Sequence, residues 1–231
     1  MGGCTMFLFR SVFSLRSLFW STGLAVMVVG SAVARAAPPP EAASCAACHG
    51  AQGAGQAAAN FPRLAGLPAS YLAEQLHLFA SGQRQNAIMS GMAKPLSSEQ
   101  IKTLADYYSG LPVSMAAPAQ TVPADLKSRG EQLAMLGDWK AGIPACFRCH
   151  GPGGVGVAPA FPALTGQSAT YLDQQITAWK NGTRSGDPQG LMHTIALRMS
   201  DADTKAVTAW LAAQKPEAAV MGKTNQAGGA Q

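Results

Sequence analysis

The chain of 231 residues is short of charge, of strand-forming pattern and of spare cysteine. Only 13% of it is charged, 17 basic residues against 12 acidic, and it holds four histidines. No cluster of lysine and arginine forms the cationic footprint that a nucleic-acid-binding surface needs, which excludes nucleic acid as a partner. No alternating β-branched run stands out, so there is no strand candidate and no βαβ surrounding for a thioredoxin-like dithiol. Five cysteines occur, four of them in two copies of one short pattern. The fifth, Cys4, lies in the N-terminal leader, so no thiol is left downstream to act as a special ligand.

What the chain does have is Cys-x-x-Cys-His, twice, at Cys45-Ala46-Ala47-Cys48-His49 and Cys146-Phe147-Arg148-Cys149-His150. Two thiols one helical turn apart can each bond a vinyl group on one edge of a porphyrin, with the adjoining His placed under the iron. This is the c-type haem attachment pattern. A structural zinc site would set its cysteine pairs about 15–20 residues apart, whereas here the gap from Cys48 to Cys146 approaches a hundred. Neither zinc, nor a disulfide, nor a redox dithiol requires the repeated His. The expectation is two covalently attached haem c groups, bonded by Cys45, Cys48, Cys146 and Cys149 and ligated by His49 and His150, in a protein that does electron chemistry.

Residues 1–36 read as an export signal, with Arg10 and Arg16 at the start, an uncharged stretch from Ser17 to Ala34, and a small-x-small cleavage site at Ala34-Arg35-Ala36. An uncleaved membrane anchor is the alternative, since that stretch sits at the lower edge of the roughly 17–25 residues a spanning helix needs. Export fits the motif, and the expected location is the periplasm. Removing Arg10, Arg16 and Arg35 from the 17 basic residues leaves 14 against 12 acidic ones. Four ionised propionates on two haems would then make the loaded protein slightly anionic, which gives no strong guide to the sign of a partner.

An internal repeat sets the domain organisation. Asn60-Phe61-Pro62-Arg63-Leu64-Ala65-Gly66 recurs as Ala160-Phe161-Pro162-Ala163-Leu164-Thr165-Gly166, and Tyr71-Leu72 through Gln75 and Gly82 recurs, at the same offset, as Tyr171-Leu172 through Gln175 and Gly182. The period is too long for a solenoid and marks a duplicated domain. We expect domain one over 37–112, a proline-bearing linker over 113–123, domain two over 124–215 and a disordered tail over 216–231. Each unit reads as helices. Ser70 and Thr170 are expected to start one pair, ending at Gly82 and Gly182; Ser97 with Gln100, and Ser200 with Asp203, to start another. Ala124 to Leu136 reads as a helix burying Leu126, Leu133 and Leu136, for which domain one has at best a stub. His77 reads as an ordinary surface residue, and 184–191, with Gly186, Pro188 and Gly190, as a mobile loop.

The sixth iron position separates a carrier from an enzyme. Met89 lies 40 residues after its His and eight before the cap Ser97; Met192 lies 42 after its His and eight before Ser200. Symmetry therefore selects Met89 and Met192 as the second iron ligands over Met92, Met199 and His193. Pro62 and Pro162 fall where a backbone carbonyl could take the free ring N–H of each ligand His, with Phe61 and Phe161 as packing at the haem edge.

Together these residues resemble the diheme cytochrome c4 family of bacterial electron carriers, from about Ser44 to Lys215. The resemblance rests on the paired Cys-x-x-Cys-His-Gly, Phe-Pro-x-Leu-x-Gly, Tyr-Leu-x-x-Gln, and a Met ahead of a capped C-terminal helix. It implies an all-α fold of two tandem class I cytochrome c domains, each wrapped around one covalently bound haem, with His49 paired with Met89 and His150 with Met192. It also implies a relay between a quinol-oxidising complex or dehydrogenase as donor and a terminal oxidase or reductase as acceptor, with room for peripheral membrane association. The rival readings are a haem enzyme (a peroxidase or a sulfur-compound dehydrogenase) with one open or exchangeable iron site, and a haem subunit of a larger respiratory complex.

Overall fold

The computed structural model describes residues 37–113 and 121–216. The expected leader, most of the linker and the tail beyond Pro216 lie outside the described residues. Within them the chain is helical, with isolated β-bridges and no sheet. Domain one contributes α1 (Ala42–His49), α2 (Ala69–Ser81), α3 (Ala87–Ala93) and α4 (Ser98–Ser109). Domain two contributes α5 (Ala124–Met135), α6 (Cys146–His150), α7 (Ala169–Lys180), α8 (Leu191–Arg198) and α9 (Asp201–Ala213).

The final helices begin where their capping boxes place them. Ser97 accepts from the Gln100 amide while the Gln100 side chain accepts from the Ser97 amide, and Ser200 and Asp203 do the same. Each box satisfies two N–H groups that the first helical turn leaves without a partner. The expected caps at Ser70 and Thr170 are corrected. Pro68 precedes α2, and Ser70 lies inside the helix, where its hydroxyl donates to the Pro159 carbonyl of domain two (3.0 Å). Ser168 caps α7 by accepting from the Tyr171 amide. The Pro68 ring already fixes the entry to α2, which frees Ser70 for the neighbouring domain.

Two apolar cores result. In domain one, Leu67, Leu72, Leu104, Ala105 and Tyr108 close over α2 and α4; in domain two, Leu133, Ile143, Leu172, Val207, Trp210 and Leu211 close over α5, α7 and α9. The two domains differ most at their beginnings. In domain two, α5 lies across α9, and Arg129 clamps the crossing by donating to Asp203 (2.7 Å) and to Asp138 (2.9 Å). In domain one the stub expected from the sequence is the first turn of α1 itself. Ala42 is buried beneath Tyr108, and Gln100 donates to the Glu41 carboxylate (3.0 Å). Leu136, expected in the core, is exposed, because α5 stops at Met135 and the chain turns away at Gly137, which has a φ of 76°.

The α5–α9 crossing depends on the missing side chain of Gly130. A methyl group there would fall 2.4 Å from the Ala206 carbonyl oxygen and 2.5 Å from the Trp210 Cβ, so the helices would have to separate. We therefore expect Gly130→Ala to destabilise domain two by about 1–3 kcal/mol, as overpacking does, in spite of alanine's better helix propensity. Denaturant unfolding of the haem-loaded protein checks this.

Candidate functional site

Each Cys-x-x-Cys-His motif is wound into one helix, so its thiols and imidazole face one cavity. The first cavity, about 470 Å³, is lined by Cys45, Cys48, His49, Phe61, Pro62, Leu72, Phe79, Met89 and Met92. The second, about 180 Å³, is lined by Cys146, Cys149, His150, Phe161, Pro162, Leu172, Ile176, Met192, Ile195 and Met199. None of the four cysteines is in a disulfide.

The loop after each motif returns beneath its histidine. His49 Nδ1 donates to the Pro62 carbonyl (2.8 Å) and His150 Nδ1 to the Pro162 carbonyl (2.7 Å). Proline has no N–H of its own to offer here, and the bond commits one ring nitrogen, leaving Nε2 as the available ligand. Burial holds both imidazoles below their ordinary pKa against the pull of those carbonyls. They are therefore neutral, the form a metal takes. Phe61 and Phe161 stand edge-on to the two imidazoles, with ring centroids 6.0 and 5.9 Å away. Burial raises the Cys45 thiol and pushes Cys146 up to about 11. That is the opposite of the lowered pKa that marks a reactive dithiol.

Across each cavity stands a methionine at a helix start. Asn86 caps α3 by accepting from the Met89 amide (2.9 Å); Asp187 accepts from the amides of Met192 (2.7 Å) and His193 (3.2 Å) at the start of α8. Met92 and Met199 line the same cavities, Met92 half in solvent and Met199 in the apolar core. His193 is not among the residues lining either cavity, and its Nδ1 donates to the Trp179 carbonyl (2.8 Å). His77 is exposed, as expected.

Between the cavities the two domains exchange arginines. Arg84 of domain one donates to Tyr171 (3.0 Å) and Gln175 (2.6 Å) of domain two and to its own Gln75 (2.9 Å). Arg184 of domain two donates to Tyr71 (3.1 Å) and Gln75 (2.9 Å) of domain one and to its own Gln175 (2.9 Å). Both guanidiniums share the same two glutamine oxygens, and each stacks on an aromatic ring, Arg84 on Phe79 and Arg184 on Trp179. Both are buried, neither forms an ion pair among the described residues, and no carboxylate lines either cavity. Two buried cations with only neutral partners call for anions from elsewhere. A haem fits this demand, since it brings two carboxylates to the rim of a cavity whose walls already offer two thiols and a neutral imidazole.

A cytochrome c family model matches residues 39–111 and 128–215. The thiosulfate dehydrogenase electron acceptor of Thiomonas intermedia (strain K12) is 60% identical over 205 residues, covering 88% of this chain and 89% of that protein. The crystal structure of reduced recombinant cytochrome c4 from Pseudomonas stutzeri matches with a TM-score of 0.68 at 35% identity, covering 75% of this chain and 94% of that one. The chain belongs to the diheme cytochrome c4 family. A further match is the thiosulfate dehydrogenase from Marichromatium purpuratum, with a TM-score of 0.69 and 41% identity, covering 74% of this chain. This chain spans only 36% of that longer one.

As a cytochrome c4 relative the protein is an electron carrier with two tandem cytochrome c domains and two covalent haem c groups. Sequence reasoning missed its interdomain arginines, and the reading of 184–191 as a mobile loop is corrected at Arg184, which is buried. The signal was present. The repeat was followed to Gly82 and Gly182, and Arg84 and Arg184 stand two residues further at the same offset. Removing one hydroxyl acceptor strands a buried guanidinium N–H, so Tyr71→Phe and Tyr171→Phe should each cost about 1.5–3 kcal/mol, the range for hydrogen bonds to charged groups. Thermal unfolding of the haem-loaded protein measures it.

Proposed function

We propose that His49 with Met89 and His150 with Met192 ligate the two irons, and that the protein is a periplasmic relay taking electrons from a thiosulfate dehydrogenase. The observation that carries the ligand assignment is that each cavity is lined by its own motif histidine and by one methionine at a matched place, its backbone fixed by Asn86 or Asp187. The partner is supported by the 60% identity to a thiosulfate dehydrogenase electron acceptor. We assign domain one to 37–112, the linker to 113–123 and domain two to 124–215, in keeping with the two matched segments.

Haem supplies one-electron chemistry at its iron. The residues around it fix how that chemistry is used. The Pro62 and Pro162 carbonyls orient the ligand imidazoles, and thioether ligation favours the reduced state and raises the potential. Apolar walls of Leu72 and Phe79, or of Leu172 and Ile176, keep water away, so little rearrangement accompanies a change of charge. Arg84 and Arg184 would hold haem carboxylates, and their hydrogen bonds to Tyr171, Gln175, Tyr71 and Gln75 tie the two domains together. In this reading the electron is passed on to a terminal oxidase or reductase through a weak encounter, as redox partners do over small interfaces. Export through residues 1–36 and any peripheral membrane contact belong to the same reading, and among the described residues no helix is long and apolar enough to cross a membrane.

Two experiments test it. The oxidised protein should show the weak absorption band of Met–iron bonding and resist cyanide at both centres. Met89→Ala or Met192→Ala should each cut that band to about half, through loss of one axial thioether, and open one site to cyanide. Met92→Ala, Met199→Leu and His193→Ala should leave the band intact. In stopped-flow mixing, a thiosulfate dehydrogenase reduced by its substrate should reduce both haems. Absence of that reduction, with both haems present and methionine-ligated, would remove the partner while sparing the relay.

A further inference from the structure

The carbonyl that holds His49 and the amide that Gln167 holds are the two ends of one peptide group. Pro62 supplies the carbonyl, which accepts from His49 Nδ1 (2.8 Å), and Arg63 supplies the N–H, which donates to Gln167 Oε1 of domain two (2.9 Å). Gln167 Nε2 donates in turn to the Arg63 carbonyl (2.8 Å). One carboxamide thus grips both polar backbone groups of one residue. Since a backbone amide can only donate and a carbonyl only accept, the orientation of the side chain is fixed. Gln167 and Arg63 are both buried. The Arg63 guanidinium crosses the interface as well, donating to the Thr165 carbonyl (3.0 Å) and to the Ala65 carbonyl of its own domain.

A peptide group is planar and stiff, so turning the Arg63 N–H turns the Pro62 carbonyl with it. Hydrogen bonds in series also polarise one another where water is excluded. The contacts that run from Gln167 through this peptide to Nδ1 therefore reach the ring whose Nε2 is left for the iron. Domain two has no equivalent arrangement. The Pro162 carbonyl accepts from His150 Nδ1 (2.7 Å) as Pro62 does from His49. At the offset that relates the repeats, however, Gln167 answers to Leu67, whose hydrocarbon side chain can neither accept from the Ala163 amide nor donate to its carbonyl.

We propose that Gln167 of domain two is a positioning residue for the axial imidazole of domain one, fixing His49 through the Pro62–Arg63 peptide, with no matching path in the other direction. The inference rests on the two-haem, histidine-ligated reading above. Docking of the domains then completes the ligand geometry of the first haem, whereas His150 is set by the loop of its own domain.

The test follows the Nδ1 protons of His49 and His150 by proton NMR in the full, reduced, haem-loaded chain, reading their chemical shifts and their exchange with deuterium. Gln167→Leu puts in domain two the residue that domain one carries and removes both grips on Arg63. The His49 proton should then move in the spectrum and exchange about tenfold faster, as the loss of one hydrogen bond of ordinary strength allows, while the His150 proton stays as it was. Gln167→Asn, one methylene too short to reach, should do the same, and it decides the matter if the leucine variant does not fold. Gln167→Glu should keep the protection, because a carboxyl group in either protonation state still offers the Arg63 amide an acceptor. Ser70→Ala removes a different interdomain hydrogen bond, the one to the Pro159 carbonyl, and should leave both histidine protons unmoved. A merely structural role would loosen the interface and move both protons alike. The inference is overturned by a His49 proton that the leucine and asparagine variants leave unchanged, by an equal change at His150, by a glutamate variant that behaves like the leucine one, or by the same effect in Ser70→Ala. A protein without two haems, or without a histidine on each iron, would instead sink the reading on which the inference stands.

Discussion

Two guanidiniums held side by side on neutral oxygens, in a place water barely reaches, are the constraint around which this molecule is organised. Arg84 and Arg184 each reach into the opposite domain and share Gln75 and Gln175, so neither domain can form its wall of the interface alone. Like charges this close repel, and among the described residues tyrosine and glutamine give them hydrogen bonds but no opposite charge. The compensation has to come with the cofactors. The contacts that dock the two domains therefore stand where the carboxylates of a bound haem would be held.

The same economy appears in the histidine loops. The Pro62 and Pro162 carbonyls are committed to the imidazoles, and the residues that follow them run directly into the interface, through Arg63 in one half and Ala163 in the other. Ligand orientation and domain contact are thus consecutive along the chain. A change at the interface is positioned to reach the iron within one or two residues.

Duplication supplied two nearly equal sites, and the differences lie at defined places. Domain two has α5 across α9, with Gly130 allowing the close approach and Arg129 clamping it. Domain one closes the corresponding space with Ala42, Glu41 and Gln100. At the interface, the Gln167 side chain of domain two binds the Arg63 backbone of domain one.

The chemistry was legible in the residues because covalent haem attachment needs two thiols and an imidazole at fixed short spacing, and capping boxes are equally local. Ser97 with Gln100 and Ser200 with Asp203 start their helices where the pattern alone put them. The caps of α2 and α7 and the fate of Leu136 were not legible, since Pro68, Ser168 and the turn at Gly137 competed locally with equally plausible neighbours. Sequence by itself determined the cofactor class, the duplication, the helical fold and the matched methionines, all of which depend on spacing within one repeat. Only the tertiary structure decided that Arg63, Arg84 and Arg184 are buried between the domains without a carboxylate among the described residues, because burial and charge compensation depend on which distant surfaces meet, and no local pattern encodes that.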